Sequence, residues 1–173
     1  WTARPWNLRI PVATPVDCGE GRLFCAGGYG VGTAMIQVNR SEGDWEVGTL
    51  YELKAREFGA AQQTPILFEG HIYGVRPDGQ LVCLDLDGRT QWASGPNHKF
   101  GLGPFMIAGD RLLAMDDHGL LTMARATPRG FQLLAQAKVL DGPDAWGPMA
   151  MAGTRLILRD LTRMVCLDLS AER

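Results

Sequence analysis

A fourfold internal repeat constrains this chain more than any other feature. Thr14-Pro-Val-Asp-Cys-Gly-Glu-Gly-Arg-Leu-Phe24 aligns with Thr64-Pro-Ile-Leu-Phe-Glu-Gly-His-Ile-Tyr73. Both align with Gly103-Pro-Phe-Met-Ile-Ala-Gly-Asp-Arg-Leu-Leu113 and Gly147-Pro-Met-Ala-Met-Ala-Gly-Thr-Arg-Leu-Ile157. Each unit opens with a small residue and a proline, then runs apolar, glycine, apolar. The anchors Pro15, Pro65, Pro104 and Pro148 recur at roughly 40–50 residues, the period of propeller blades. A chain with such a period buries its apolar surface by stacking like units.

Two further strands follow in each unit. The third is Met35-Ile-Gln-Val38, Leu81-Val-Cys-Leu84, Leu121-Thr-Met123 and Met164-Val-Cys-Leu167. The closest internal match is Val82-Cys-Leu-Asp-Leu86 with Val165-Cys-Leu-Asp-Leu169. A fourth strand is expected around 45–50, 90–93 and 131–137. Pro77-Asp-Gly79, Asp87-Gly88 and Asp117-His-Gly119 are turn formers, in which glycine supplies the positive φ of a tight hairpin. Helical periodicity is weak throughout; 50–63 has room for a turn or two of helix, and a strand end plus loop explains it equally well.

The expected fold is therefore all-β, a β-propeller or partial propeller of about four blades of four antiparallel strands. The blades lie near 14–50, 64–94, 103–137 and 147–169. The last runs out after Leu169 and is incomplete unless a strand elsewhere completes it. Trp6-Asn-Leu-Arg-Ile10 alternates apolar and polar as a strand should. It is the candidate, pairing within the chain or with a second copy; blades of a longer propeller are the other way to complete the set.

Glycine-rich Gly27-Gly-Tyr-Gly-Val-Gly32 is superficially a phosphate loop. Such a loop leads from a strand into a helix. Here a strand follows, so a hairpin between the second and third strands is expected. The chain has only three serines and no Gly-x-Ser-x-Gly. His71, His98 and His118 fall in different units, without zinc-ligand spacing. Asp116-Asp117-His118-Gly119 lacks the calcium-loop spacing and reads as a hairpin tip. No catalytic or metal-binding set is expected.

Charge narrows the partners. Lys and Arg total 17 against 19 Asp and Glu, for a net charge of −2. The cations are scattered, which argues against nucleic acid. No apolar run approaches the ~20 residues of a membrane helix. Cys18, Cys25, Cys83 and Cys166 are expected as strand thiols, with a Cys18–Cys25 bridge as the alternative.

The segment Leu84-Asp-Leu-Asp-Gly-Arg-Thr-Gln-Trp92 resembles the repeat of the quinoprotein-like (PQQ-repeat) propellers, roughly apolar–Asp–x–x–Thr–Gly–x–x–x–Trp. Gly88 and Trp92 keep the spacing, while Asp85 to Gly88 is one residue short and lacks the Thr. In such a motif the Gly makes the turn, the Trp packs between blades and the Asp caps the turn. Gly43-Asp-Trp45 is a remnant in the first unit. The family includes PQQ-dependent alcohol dehydrogenases and the lipoprotein subunit of the outer-membrane β-barrel assembly machine. The dehydrogenases carry an adjacent-cysteine pair, calcium ligands and an Asp base; no such set is recognisable here. The resemblance therefore implies a non-catalytic scaffold without a cofactor, binding a protein or small ligand, outside the cytoplasm or in the periplasm. A fragment of an oxidoreductase holding PQQ and calcium, or a sensor domain of a larger signalling chain, is the alternative.

In propellers the loops entering the innermost strands lie at the channel mouth. Here these are 56–64, 96–103 and 141–147. They carry the candidate binding residues Arg56, Glu57, Gln63, Asn97, His98, Lys99, Phe100, Asp144 and Trp146. Aromatic and polar groups mixed in this way suit a peptide, a sugar or a partner loop.

Overall fold

In a computed structural model, residues 12–170 are described. Among them every regular element is a strand. Turn chemistry sets the boundaries. β1 (Val16–Asp17), β2 (Arg22–Gly27), β3 (Gly32–Ser41) and β4 (Asp44–Leu53) pair antiparallel in that order as sheet 1. Sheet 2 is β5 (Ile66–Phe68), β6 (His71–Val75), β7 (Leu81–Asp85) and β8 (Thr90–Ala93). Sheet 3 is β9 (Phe105–Ala108), β10 (Arg111–Met115), β11 (Leu120–Arg125) and β12 (Leu133–Lys138). Sheet 4 has three strands: β13 (Ala150–Ala152), β14 (Arg155–Arg159) and β15 (Met164–Asp168). Each repeat of the sequence thus becomes one meander. The candidate strand at 6–10 lies outside the described residues.

Aspartates fix the turns as the repeat motif implies. The Asp85 carboxylate accepts hydrogen bonds from the backbone N–H groups of Asp87 (3.0 Å) and Arg89 (2.9 Å). Its repeat counterpart Asp168 accepts from the N–H of Ser170 at 2.9 Å. Such bonds satisfy turn donors that the ladders leave over. Trp92 is buried and its ring lies 6.0 Å from that of Tyr73. The glycine-rich segment is the β2–β3 hairpin, with Gly27 paired to Gly32. At 50–63 no helix forms: β4 runs to Leu53, and one turn follows in which the Lys54 carbonyl accepts from Glu57 and Phe58. All four cysteines are free thiols. Burial pushes the Cys83 thiol up to about 11, which keeps it inert at neutral pH.

The chain divides into two compact units, one holding sheets 1 and 2 and the other sheets 3 and 4. In the first, Phe24, Ala26 and Met35 of sheet 1 pack with Ile72, Val82 and Leu84 of sheet 2. Phe58, from the β4–β5 loop, joins them, its ring edge-on to Phe24 at 5.3 Å. Gly74 makes room for it, since a Cβ there would stand 2.5 Å from the Phe58 ring. In the second unit, Leu113, Met115 and Leu121 of sheet 3 pack with Leu156 and Leu158 of sheet 4.

Candidate functional site

Antiparallel meanders put the loop between consecutive sheets at the same end as the hairpin joining the two middle strands. In the first unit, contacts bring these together. Ala60 N–H donates to the Gly27 carbonyl at 3.0 Å, and a Cβ on Gly59 would lie 3.5 Å from Pro77. Here the expected residues separate by role. Glu57 accepts from the Lys54 N–H at 2.8 Å and so caps its own turn. Arg56 is exposed beside it and Gln63 is half-buried. The segment after β8 is held by Ser94, whose hydroxyl donates to the His98 carbonyl at 2.6 Å. Lys99 bridges to Gln80, Asn97 is exposed and His98 is half-buried. Phe100 is 2 % exposed; its ring is part of the packing and not of the surface.

The second unit brings two of the expected residues into one concavity. Asp117, at the tip of the β10–β11 hairpin, organises it. One carboxylate oxygen accepts from the Leu102 N–H at 2.7 Å and from the Trp146 indole N–H at 2.8 Å. The Asp117 carbonyl accepts from the Ala145 N–H. One side chain therefore ties the loop before β9 to the loop before β13. Trp146 keeps its nitrogen satisfied while its ring remains partly exposed, the amphipathic use to which indoles are suited.

Opposite Trp146 stands the β14–β15 hairpin. Asp160 stiffens it. Its carboxylate accepts from the N–H groups of Thr162 (2.8 Å) and Arg163 (2.7 Å), from the Thr162 hydroxyl and from Gly142 N–H. These bonds, the Thr162 N–H first, hold its pKa below the ordinary carboxylate value. The result is an open cleft of about 240 Å³, lined by Asp144, Trp146, Pro148, Arg159 and Leu161 among others. Leu161 is strongly exposed. The Arg159 stem runs over Gly147, where a Cβ would meet it at 2.7 Å. Asp144 holds φ = 59°, the left-handed region that costs a non-glycine residue about 1 kcal/mol.

Of the expected residues, Asp144 and Trp146 thus share a site. Arg159, Asp160, Leu161 and Asp117 belong to it and were not singled out for it from sequence. Their signal was present in the Asp116-Asp117-His118-Gly119 hairpin and its counterpart at 160–163, which face the same loop end. The cleft is lined by apolar groups, one cation, Arg159, and two carboxylates, Asp144 and Asp160. Among the described residues no group of three or more His, Cys, Asp or Glu is placed to hold a metal ion, and no helix is long and apolar enough to cross a membrane.

No family model and no curated protein sequence matches the chain. Solved structures do. BamB from Moraxella catarrhalis matches at 14 % identity and a TM-score of 0.65, over 96 % of this chain and 48 % of that one. AztD from Citrobacter koseri matches at 14 % identity and a TM-score of 0.58, over 93 % of this chain and 44 % of that one. The computationally designed Ika4 protein matches at 8 % identity and a TM-score of 0.55, over 98 % of this chain and 100 % of that one. The chain spans about half the length of the BamB and AztD chains. Its fold is that of a BamB-like β-propeller with about four blades.

Proposed function

We propose that this chain is a non-catalytic propeller scaffold that binds a protein partner through the loop end of its sheets. The cleft at Trp146 takes one anchoring side chain of the partner. The observation that carries this reading is the Asp117 clamp. It holds two loops at fixed positions while leaving the Trp146 ring and Leu161 to solvent. Preformed aromatic anchors of this sort are what hot spots are built from. The volume supports a side chain and not a whole small ligand, since ligand pockets run at roughly 300–1,000 Å³. Arg159 and Asp144 at the rim would select the charges flanking the anchor. In this reading no cofactor takes part. An extracytoplasmic or periplasmic location rests on the resemblance to the quinoprotein-like propellers.

A random peptide display library, panned on the wild-type chain and on Trp146→Ala and Leu161→Asp, tests this. The expected result is a selected motif with one bulky apolar anchor, weakened about tenfold or more by either substitution. Selected peptides that bind both variants as well as wild type would remove the cleft from the function.

A further inference from the structure

The repeat allows each sheet to be compared with its fellows position by position. Phe24, Tyr73, Leu113 and Ile157 occupy one repeat position. Each is the centre of a row across its sheet: Val16–Phe24–Met35, Ile66–Tyr73–Cys83, Met106–Leu113–Met123 and Ala150–Ile157–Cys166. The first three centres are 0 %, 1 % and 1 % exposed, and the fourth is 39 % exposed. The fourth row is exposed along its whole length, and beside it Met164 is 67 % exposed.

What covers such a row is known within each unit. The Phe24 row receives Ile72 of the next sheet, and the Leu113 row receives Leu156. Ile72 and Leu156 each stand one residue before the central position of their own sheet. In sheet 1 that covering position is Leu23, with Cys25 two residues on; both are half-buried. Charge agrees with the shape. Asp17 lies opposite Leu23 in the β1–β2 register and therefore on the same face. The Ile157 row is flanked along β14 by Arg155 and Arg159. Strands alternate faces, so both arginines share the face of Ile157.

We propose that a second copy of this chain covers the exposed face of sheet 4, setting Leu23 and Cys25 of its own first sheet against Ile157 and Cys166, with its Asp17 toward Arg155.

Sedimentation velocity across a concentration series, with alkylation of Cys166 as a local probe, tests this. The wild-type chain is expected to associate, sedimenting heavier than the 18.9 kDa of one copy as concentration rises. Ile157→Glu, Met164→Lys and, on the other face, Leu23→Glu are each expected to give single chains. Leu134→Glu, on exposed β12, is the control and should leave the pair intact. Cys166 should be alkylated on the order of ten times faster in Met164→Lys than in wild type, since access governs thiol reactivity. Met164 is already exposed, so that variant separates loss of contact from loss of folding. A wild-type chain that sediments singly at all concentrations would overturn the proposal. So would a pair that survives both Met164→Lys and Leu23→Glu. Neither outcome bears on the cleft at Trp146, which the peptide selection tests separately.

Discussion

Aspartate does most of the local positioning in this molecule, and at two places it does so for the candidate site. Asp117 joins two loops and Asp160 closes the hairpin facing them. The pKa of Asp160 is lower folded than unfolded, because its bonds favour the charged form. Its contribution to stability is therefore fully present above the ordinary aspartate pKa and is lost as pH falls through the folded value. Asp160→Asn should lower the melting temperature at about pH 7, and its gap from wild type should close toward about pH 3. A gap that is constant with pH would mean that the hairpin owes its form to packing. Sequence spacing placed Asp144 and Trp146 in a loop between repeats, as the strand boundaries do. It could not show that Asp117, 29 residues from Trp146 in the chain, accepts the indole N–H. A contact of that kind depends on how two meanders lie side by side.

At the scale of elements, one loop shows how a connection becomes part of a core. Phe58 leaves the surface and is seated against β6 at Gly74, between the two sheets of its unit. Gly74→Ala should cost about 1–3 kcal/mol by urea denaturation, the usual penalty of overpacking. Phe58→Leu in the same chain should recover part of that loss, and additive costs would show that the two positions do not meet. The strands themselves were legible because three signals coincide in each repeat: the proline start, the glycine turn and the apolar third strand. The segment 50–63 was ambiguous because its pattern fits neither period well. The structure resolves it through Phe58, whose burial fixes a turn where a helix would have carried the ring elsewhere. Phe100 misled for the opposite reason: an aromatic in a connecting loop has no periodic neighbours to mark it as buried.

Across the whole molecule, protection from solvent is uneven. The middle strands of sheets 2 and 3 are covered on both faces, whereas β14 and β15 alternate covered and open. In the Met164→Lys chain the backbone amides of β15 should exchange with solvent on the order of 100-fold faster than those of β7. In wild type at high concentration that contrast should shrink. Equal exchange in both strands at low concentration would show sheet 4 to be as well supported as the others. The three strands of the fourth repeat were legible in the sequence. Which face lies open was not, because alternation marks two faces of a strand and does not say which one has a neighbour.

The connections at the two ends of each meander differ in kind. The β5–β6, β9–β10 and β13–β14 turns are tight glycine-containing hairpins, whereas 54–65, 94–104 and 139–149 are long. Drift in sequence, or deliberate grafting, therefore has more room in the long connections between sheets than in these tight turns. New recognition loops can be written around Trp146 while the strands beneath keep their register, so that specificity and stability can be changed one at a time.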